Sequence, residues 1–175
     1  MQKKPFGKIF FSHGRESGPD AFKIQRLSVI AKEAGFNVES IDYRSIADPY
    51  ERINKLLRFL ENENEKNIIL AGSSMGAFVS LIASELINPA GLFLMAPAVY
   101  IEGYEYPEMN PKAKYTEVVH GWNDEIVPAE NVFKFCRRYS LNLKFLNDRH
   151  NLQNCIEEIE DIFKDFLKRV KGSFK

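Results

Sequence analysis

Six short apolar runs, Lys8–Ser12, Asn37–Ile41, Ile68–Ala71, Gly91–Met95, Tyr115–His120 and Leu143–Leu146, alternate along the chain with segments whose apolar residues recur every three to four positions. Each run has the length of a buried strand, and each intervening segment the period of a helix with one apolar face. Ile53, Leu56, Leu57 and Leu60 form one such face; Ile156, Ile159, Ile162, Phe163, Phe166 and Val170 form another. Parallel strands need crossover connections, usually helices, so the alternation predicts a mostly parallel sheet of about six strands covered on both faces. Local chemistry supports the register. Asp48 ahead of Pro49 and Glu51 is a helix start with a capping carboxylate, and Gly35 closes the helix before it. In sheets of this kind ligands bind beyond the carboxyl ends of the strands.

Length and composition narrow the class further. A chain of 175 residues suits a single domain over residues 1–175 with one sizeable core. Apolar residues at 45% and charged residues at 27% are ordinary for a globular protein, which argues against disorder and fibrous repeats. Twenty-four basic and 24 acidic residues leave no net charge, so the electrostatic footprint of a nucleic-acid binder is absent. Cys136 and Cys155 lack the spacing of a zinc or redox motif and read as reduced thiols, with no metal expected. Met1-Gln2-Lys3-Lys4-Pro5 leads into an apolar stretch too short for a secretion signal, and no run is long enough to cross a bilayer. A cytoplasmic protein that binds neither membranes nor nucleic acid is the expectation; oligomeric state is not legible.

One strand-to-helix junction carries chemistry. Leu70-Ala71-Gly72-Ser73-Ser74-Met75-Gly76-Ala77-Phe78 sets Gly-x-Ser-x-Gly directly after an apolar strand and before a helix bearing Phe78, Leu81, Ile82 and Leu86. A sharp turn there forces the central serine into a strained conformation and leaves its hydroxyl projecting, which requires small residues two positions away on each side; Gly72 and Gly76 supply them. The turn also presents the Met75 N–H, at a helix N-terminus, toward negative charge developing near Ser74. The same motif can be a glycine-rich turn that merely packs a helix against a strand.

A serine hydroxyl needs a base, and histidine titrates closest to neutral pH. Of the three histidines, His150 follows the last strand and precedes the last helix, His120 reads as a structural or rim residue, and His13 with Gly14 shapes the loop after the first strand. The base needs an acid to orient it. Asp124, in a loop between a strand and a helix started by Pro128, is well placed, with Asp148, Asp42 and Glu125 as competitors and Asp148 better suited to a helix cap or local turn.

In chain order, Ser74, Asp124 and His150 follow the serine, acid, histidine order of the α/β-hydrolase fold. Together with Ser12-His13-Gly14, Gly72-Ser73-Ser74-Met75-Gly76, Gly121-Trp122-Asn123-Asp124-Glu125-Ile126-Val127-Pro128 and the loop around His150, the chain resembles a small, lidless α/β hydrolase, similar to YqiA-like esterases and dienelactone-hydrolase-like enzymes, from Lys8 to Val170. The resemblance implies a three-layer α/β/α sandwich with a minimal α/β-hydrolase core and no lid domain. It also implies Ser74 as nucleophile, His150 as base, Asp124 as acid and the Met75 and Arg15 N–H groups as oxyanion donors, with His13, Gly14, Gly72 and Gly76 supporting them. The implied activity is cofactor-free hydrolysis of a small carboxylic ester or thioester. A peptidase or acyltransferase could use the same triad, and a non-catalytic protein-binding module could use the same fold. The segment Ala96–Lys114, where larger relatives carry a lid, is short and rich in tyrosine: one pocket wall, or a surface loop covering the sheet edge.

Overall fold

The computed structural model describes residues 5–173, so that Met1–Lys4, read above for a targeting signal, lie outside the described residues. The elements run β1 (Gly7–Ser12), α1 (Phe22–Glu33), β2 (Phe36–Ile41), α2 (Pro49–Glu61), β3 (Ile68–Ser73), α3 (Met75–Ile87), β4 (Gly91–Met95), β5 (Tyr115–Gly121), α4 (Ala129–Tyr139), β6 (Asn142–Leu146) and α5 (Ile156–Gly172). All six predicted strands form, each within two residues of its sequence-based bounds. They make one sheet in the order β2-β1-β3-β4-β5-β6, with every neighbouring pair parallel.

Two apolar layers flank the sheet. On one face Ile53, Leu56 and Leu60 of α2, Phe78, Leu81 and Ile82 of α3 and Val132 and Phe135 of α4 pack on Phe10, Leu70, Leu92 and Val118. On the other, Ile24, Leu27 and Ile30 of α1 and Ile159, Phe163, Phe166 and Val170 of α5 pack on Ile9, Phe11, Ile69 and Phe93. Alternation of side chains along a strand sends Phe10 and Leu70 to one layer and Phe11 and Ala71 to the other, which is why these strands are apolar at nearly every position. The ring of Phe163 meets that of Phe93 edge-on with centroids 4.9 Å apart.

Local signals act as read. The Asp48 carboxylate caps α2 by accepting from the Tyr50 and Glu51 N–H groups, with Pro49 in the first turn. Gly35 sits at φ 85° just past α1, a left-handed position that glycine occupies without strain. Three details depart from the sequence reading. Leu86 is exposed, because α3 is buried all round its first ten residues and turns outward only near its end. Pro128 caps α4 rather than entering it. The polar stretch at 61–67 is more than a solvated connection, since Glu63 pairs with Lys8 and Asn67 bonds to Phe6. No helix among the described residues is long and apolar enough to cross a membrane, and both cysteines are unpaired.

The chain leaves β1 toward β2 and then returns to place β3 on the other side of β1. Strand order reverses there, opening a crevice at the carboxyl ends of β1 and β3.

Candidate active site

Ser74 lies between the last residue of β3 and the first of α3, at φ 56° and ψ −119°. A side chain at positive φ is strained, by an amount of order 1 kcal/mol, and persists only where its surroundings over-determine it. Here they do. The Ser74 N–H donates to the Met95 carbonyl, and the Ser74 carbonyl accepts from the Ala77 and Phe78 N–H groups at 3.0 and 3.1 Å. The glycines make the turn possible by close approach: a methyl group on Gly72 would lie 2.2 Å from the Gly76 carbonyl oxygen, and one on Gly76 would lie 2.0 Å from that of Ser12. The start of α3 is therefore pressed against the end of β1.

The half-buried hydroxyl of Ser74 is 2.9 Å from His150 Nε2, and His150 Nδ1 is 2.7 Å from Asp124 Oδ2. Three residues spread over 77 positions of chain thus meet in one hydrogen-bonded line. The Asp124 side chain is fully buried, and its other oxygen accepts the Ile126 and Val127 N–H groups, both at 2.8 Å. Burial alone would push this carboxyl up, but the His150 bond and the two backbone bonds outweigh it and hold the pKa below the usual aspartate value. Asp124 is ionised, its oxygen faces the ring, and the His150 tautomer is fixed with the proton on Nδ1 and a lone pair on Nε2 toward Ser74.

The competing acids do other work. Asp148, 2% exposed, accepts from the Arg149 and Cys155 N–H groups and from the Asn154 amide, so it staples the histidine loop to the start of α5, the local role the sequence suggests. Asp42 pairs with Arg44 at the surface. The loops bearing acid and base are joined by backbone bonds from Trp122 N–H to the Leu146 carbonyl and from Asn123 N–H to that of Asp148. Lys23 of α1 donates to the Asn151 carbonyl beside His150, and burial pushes its pKa down to about 8.

His120 is fully buried rather than at the rim. Its Nε2 is 3.0 Å from the Val127 carbonyl and 3.5 Å from Asp124 Oδ2, and burial lowers its pKa. Phe145 meets the ring edge-on, and Trp122, itself exposed, stacks on Phe145 at 3.9 Å. His13 is equally buried. Its Nε2 accepts the Tyr43 N–H, so Nδ1 carries the proton donated to the Gly14 carbonyl at 2.7 Å, and burial keeps the ring neutral by lowering its pKa.

Gly14 abuts the serine: a methyl group placed on it would lie 3.7 Å from the Ser74 Cβ. Among the described residues, the backbone N–H groups of Met75 and Arg15 take no acceptor within the protein. The Arg15 side chain is exposed and forms an ion pair with Glu16 at 3.9 Å. Part of Ala96–Lys114 closes on the same side. The Ala98 N–H donates to the Ser74 carbonyl, and Tyr104 packs edge-on against Phe78 at 5.3 Å, its hydroxyl pKa raised by burial against the opposing positive charges of Arg15 and Arg52. A groove of about 610 Å³ along β6 and α5, lined by Glu117, Lys144 and Arg169 among others, includes none of these groups.

Two residues of this neighbourhood escape the sequence reading. Tyr43 orients His13, and Arg52, 1% exposed, bonds to the His13, Gly14 and Ile46 carbonyls. A signal for Arg52 exists: it occupies the 52, 56, 60 stripe with Leu56 and Leu60, a cation on a buried helix face.

Comparison with known proteins agrees with this architecture. The model of UPF0227, described as an uncharacterised protein family, matches residues 8–116, more than half of the chain. A Mycoplasma genitalium protein named "Putative esterase/lipase 3" is 28% identical over 139 residues, 78% of this chain; the chain spans 46% of that relative's length. A "putative hydrolase of the alpha/beta superfamily" from Xanthomonas campestris pv. campestris, also 28% identical, superposes with a TM-score of 0.85 over 93% of this chain and 99% of its own. A second Xanthomonas campestris structure, an α/β serine hydrolase without a lid, is 17% identical and superposes with a TM-score of 0.79 over 95% of this chain and 83% of its own. The fold is that of a lidless α/β hydrolase, as the sequence motifs imply.

Proposed function

The chain belongs to the UPF0227 family, and from that premise and the geometry around Ser74 we propose that it is a serine hydrolase cleaving a small carboxylic ester or thioester. The observation that carries the reading is the unbroken line from Ser74 Oγ through His150 to Asp124, with contacts of 2.9 and 2.7 Å. Ser74 Oγ attacks the substrate carbonyl carbon while His150 Nε2 takes the hydroxyl proton, and the carbonyl oxygen becomes an oxyanion bound by the Met75 and Arg15 N–H groups. Collapse of this intermediate breaks the bond to the leaving group, which departs with the proton from Nε2. Water, deprotonated by His150, then attacks the acyl-serine, releasing the acid and restoring the Ser74 hydroxyl. Asp124 remains ionised and stabilises the imidazolium at each transfer. The short Ala96–Lys114 segment adds no lid, which favours compact, accessible acyl groups over long buried chains.

Fluorophosphonate labelling of the purified protein, followed by peptide mapping, tests the reading without a chosen substrate. Label is expected on Ser74 alone and absent from Ser74→Ala and His150→Ala. A folded wild-type protein that takes no label and hydrolyses no member of an ester and thioester panel overturns it.

A further inference from the structure

Among the described residues Arg52 is the largest fully buried side chain, and no carboxylate pairs with it. Its Nε donates to the Ile46 carbonyl at 2.7 Å, its Nη1 lies 3.2 Å from both the His13 and the Gly14 carbonyl oxygens, and its guanidinium is 5.3 Å from the centre of the Tyr43 ring. A buried cation without an anionic partner is costly, and this one also stands near the positive end of α2. An apolar residue in register with Leu56 and Leu60 would serve the core with no such penalty. What the guanidinium provides is a set of fixed donors at one peptide group.

That peptide joins Gly14 to Arg15. Its oxygen accepts from His13 Nδ1 at 2.7 Å and Arg52 Nη1 at 3.2 Å, with Ser17 Oγ at 3.5 Å. In a planar trans peptide the N–H points opposite to the carbonyl. Donors that pin the oxygen therefore aim the Arg15 N–H, and by drawing electron density to the oxygen they strengthen it as a donor. A methyl group placed on Gly14 would lie in van der Waals range of the Ser74 Cβ, and the Arg15 N–H has no acceptor among the described residues.

We propose that Arg52 is a positioning residue for the oxyanion: with the neutral His13 ring it holds the Gly14–Arg15 peptide by its oxygen so that the Arg15 N–H faces the carbonyl attacked by Ser74. This rests on the serine-hydrolase reading above. The donor matters most in the transition state, so a misaimed N–H lowers kcat and leaves KM nearly unchanged.

The test is steady-state hydrolysis of 4-nitrophenyl acetate and its thiono analogue by wild type, Arg52→Lys and Arg52→Met, with thermal unfolding alongside. A sulfur anion is a poor acceptor for these donors, so the oxygen-to-sulfur preference reports on the oxyanion site itself. In folded variants kcat for the oxygen ester should fall about ten- to a hundredfold with KM within about twofold, and the preference should shrink by a similar factor. Unchanged kcat, or a loss equal for both esters, overturns the proposal and leaves Arg52 a loop fastener. If neither variant folds, the Arg15 amide proton of the wild type is followed by NMR as Ser74 is phosphonylated. A downfield shift is expected, and its absence overturns the proposal because there is then no donor for Arg52 to aim. Wild-type protein that neither hydrolyses the ester nor takes the label fails the serine-hydrolase reading instead.

Discussion

Ser74 shows how backbone strain and reactivity share one residue. Its positive φ is tolerated for the sake of its hydroxyl, so changes that spare the strain and changes that spare the hydroxyl separate. Ser74→Gly and Ser74→Ala should both be inactive, yet the glycine variant should be the more stable by about 1 kcal/mol in urea unfolding, because glycine adopts this conformation freely. Asp124→Asn retains an acceptor for the Ile126 and Val127 N–H groups, so the fold should persist. It reverses the His150 tautomer when the amide nitrogen faces the ring, and kcat should drop by about 10⁴-fold, read as the initial rate of ester hydrolysis. Ser74 and its two glycines were legible in the sequence because the turn's steric demands are local. The choice of Asp124 over Asp148 was legible only as a preference, from local context and the family resemblance, because it depends on where two loops meet.

At the scale of elements, α3 and α5 fix the site from opposite faces of the sheet. The amino end of α3 is held to the end of β1 by a close approach that only glycine at position 76 permits, so nucleophile and His13–Gly14 loop are packed directly against each other. The base is held through α5: Asp148 ties the loop ahead of that helix by three bonds, none of them to His150. Asp148→Ala should therefore cost about 1–3 kcal/mol, measured by chemical unfolding, through N–H groups left buried without acceptors. It should also slow labelling of Ser74 by loosening the histidine. Helix faces of uniform apolar character were readable from spacing alone. Arg52 lies on the buried stripe of α2, yet a charged residue ordinarily belongs to the solvated face, and the carbonyls that satisfy it here come from two other loops.

Across the whole molecule, the two fully buried histidines couple stability to pH. Burial lowers the pKa of His13 and of His120. Unfolding restores the ordinary value of about 6.5. Below that pH the unfolded chain binds protons that the folded chain refuses, so stability falls as pH falls, by up to about 1.4 kcal/mol per pH unit for each histidine. It levels off once pH passes below the folded values. Above pH 6.5 both states are neutral at these rings and the dependence disappears. Thermal unfolding between pH 7.5 and 5 should show Tm falling on the acid side, and His120→Gln should flatten the slope by one proton's share.

The sequence by itself determined the order and kind of the elements and the strained serine turn on which the proposed chemistry rests, because periodicity, caps and turn sterics act over a few residues. Tertiary structure decided between the carboxylates that the sequence offered to His150, sealed His120 behind Phe145 and Trp122, and brought Arg52 to the Gly14 carbonyl. Each depends on distances between segments 25 to 38 residues apart. Such distances are set by the packing of two helical layers on one twisted sheet, which no local pattern encodes.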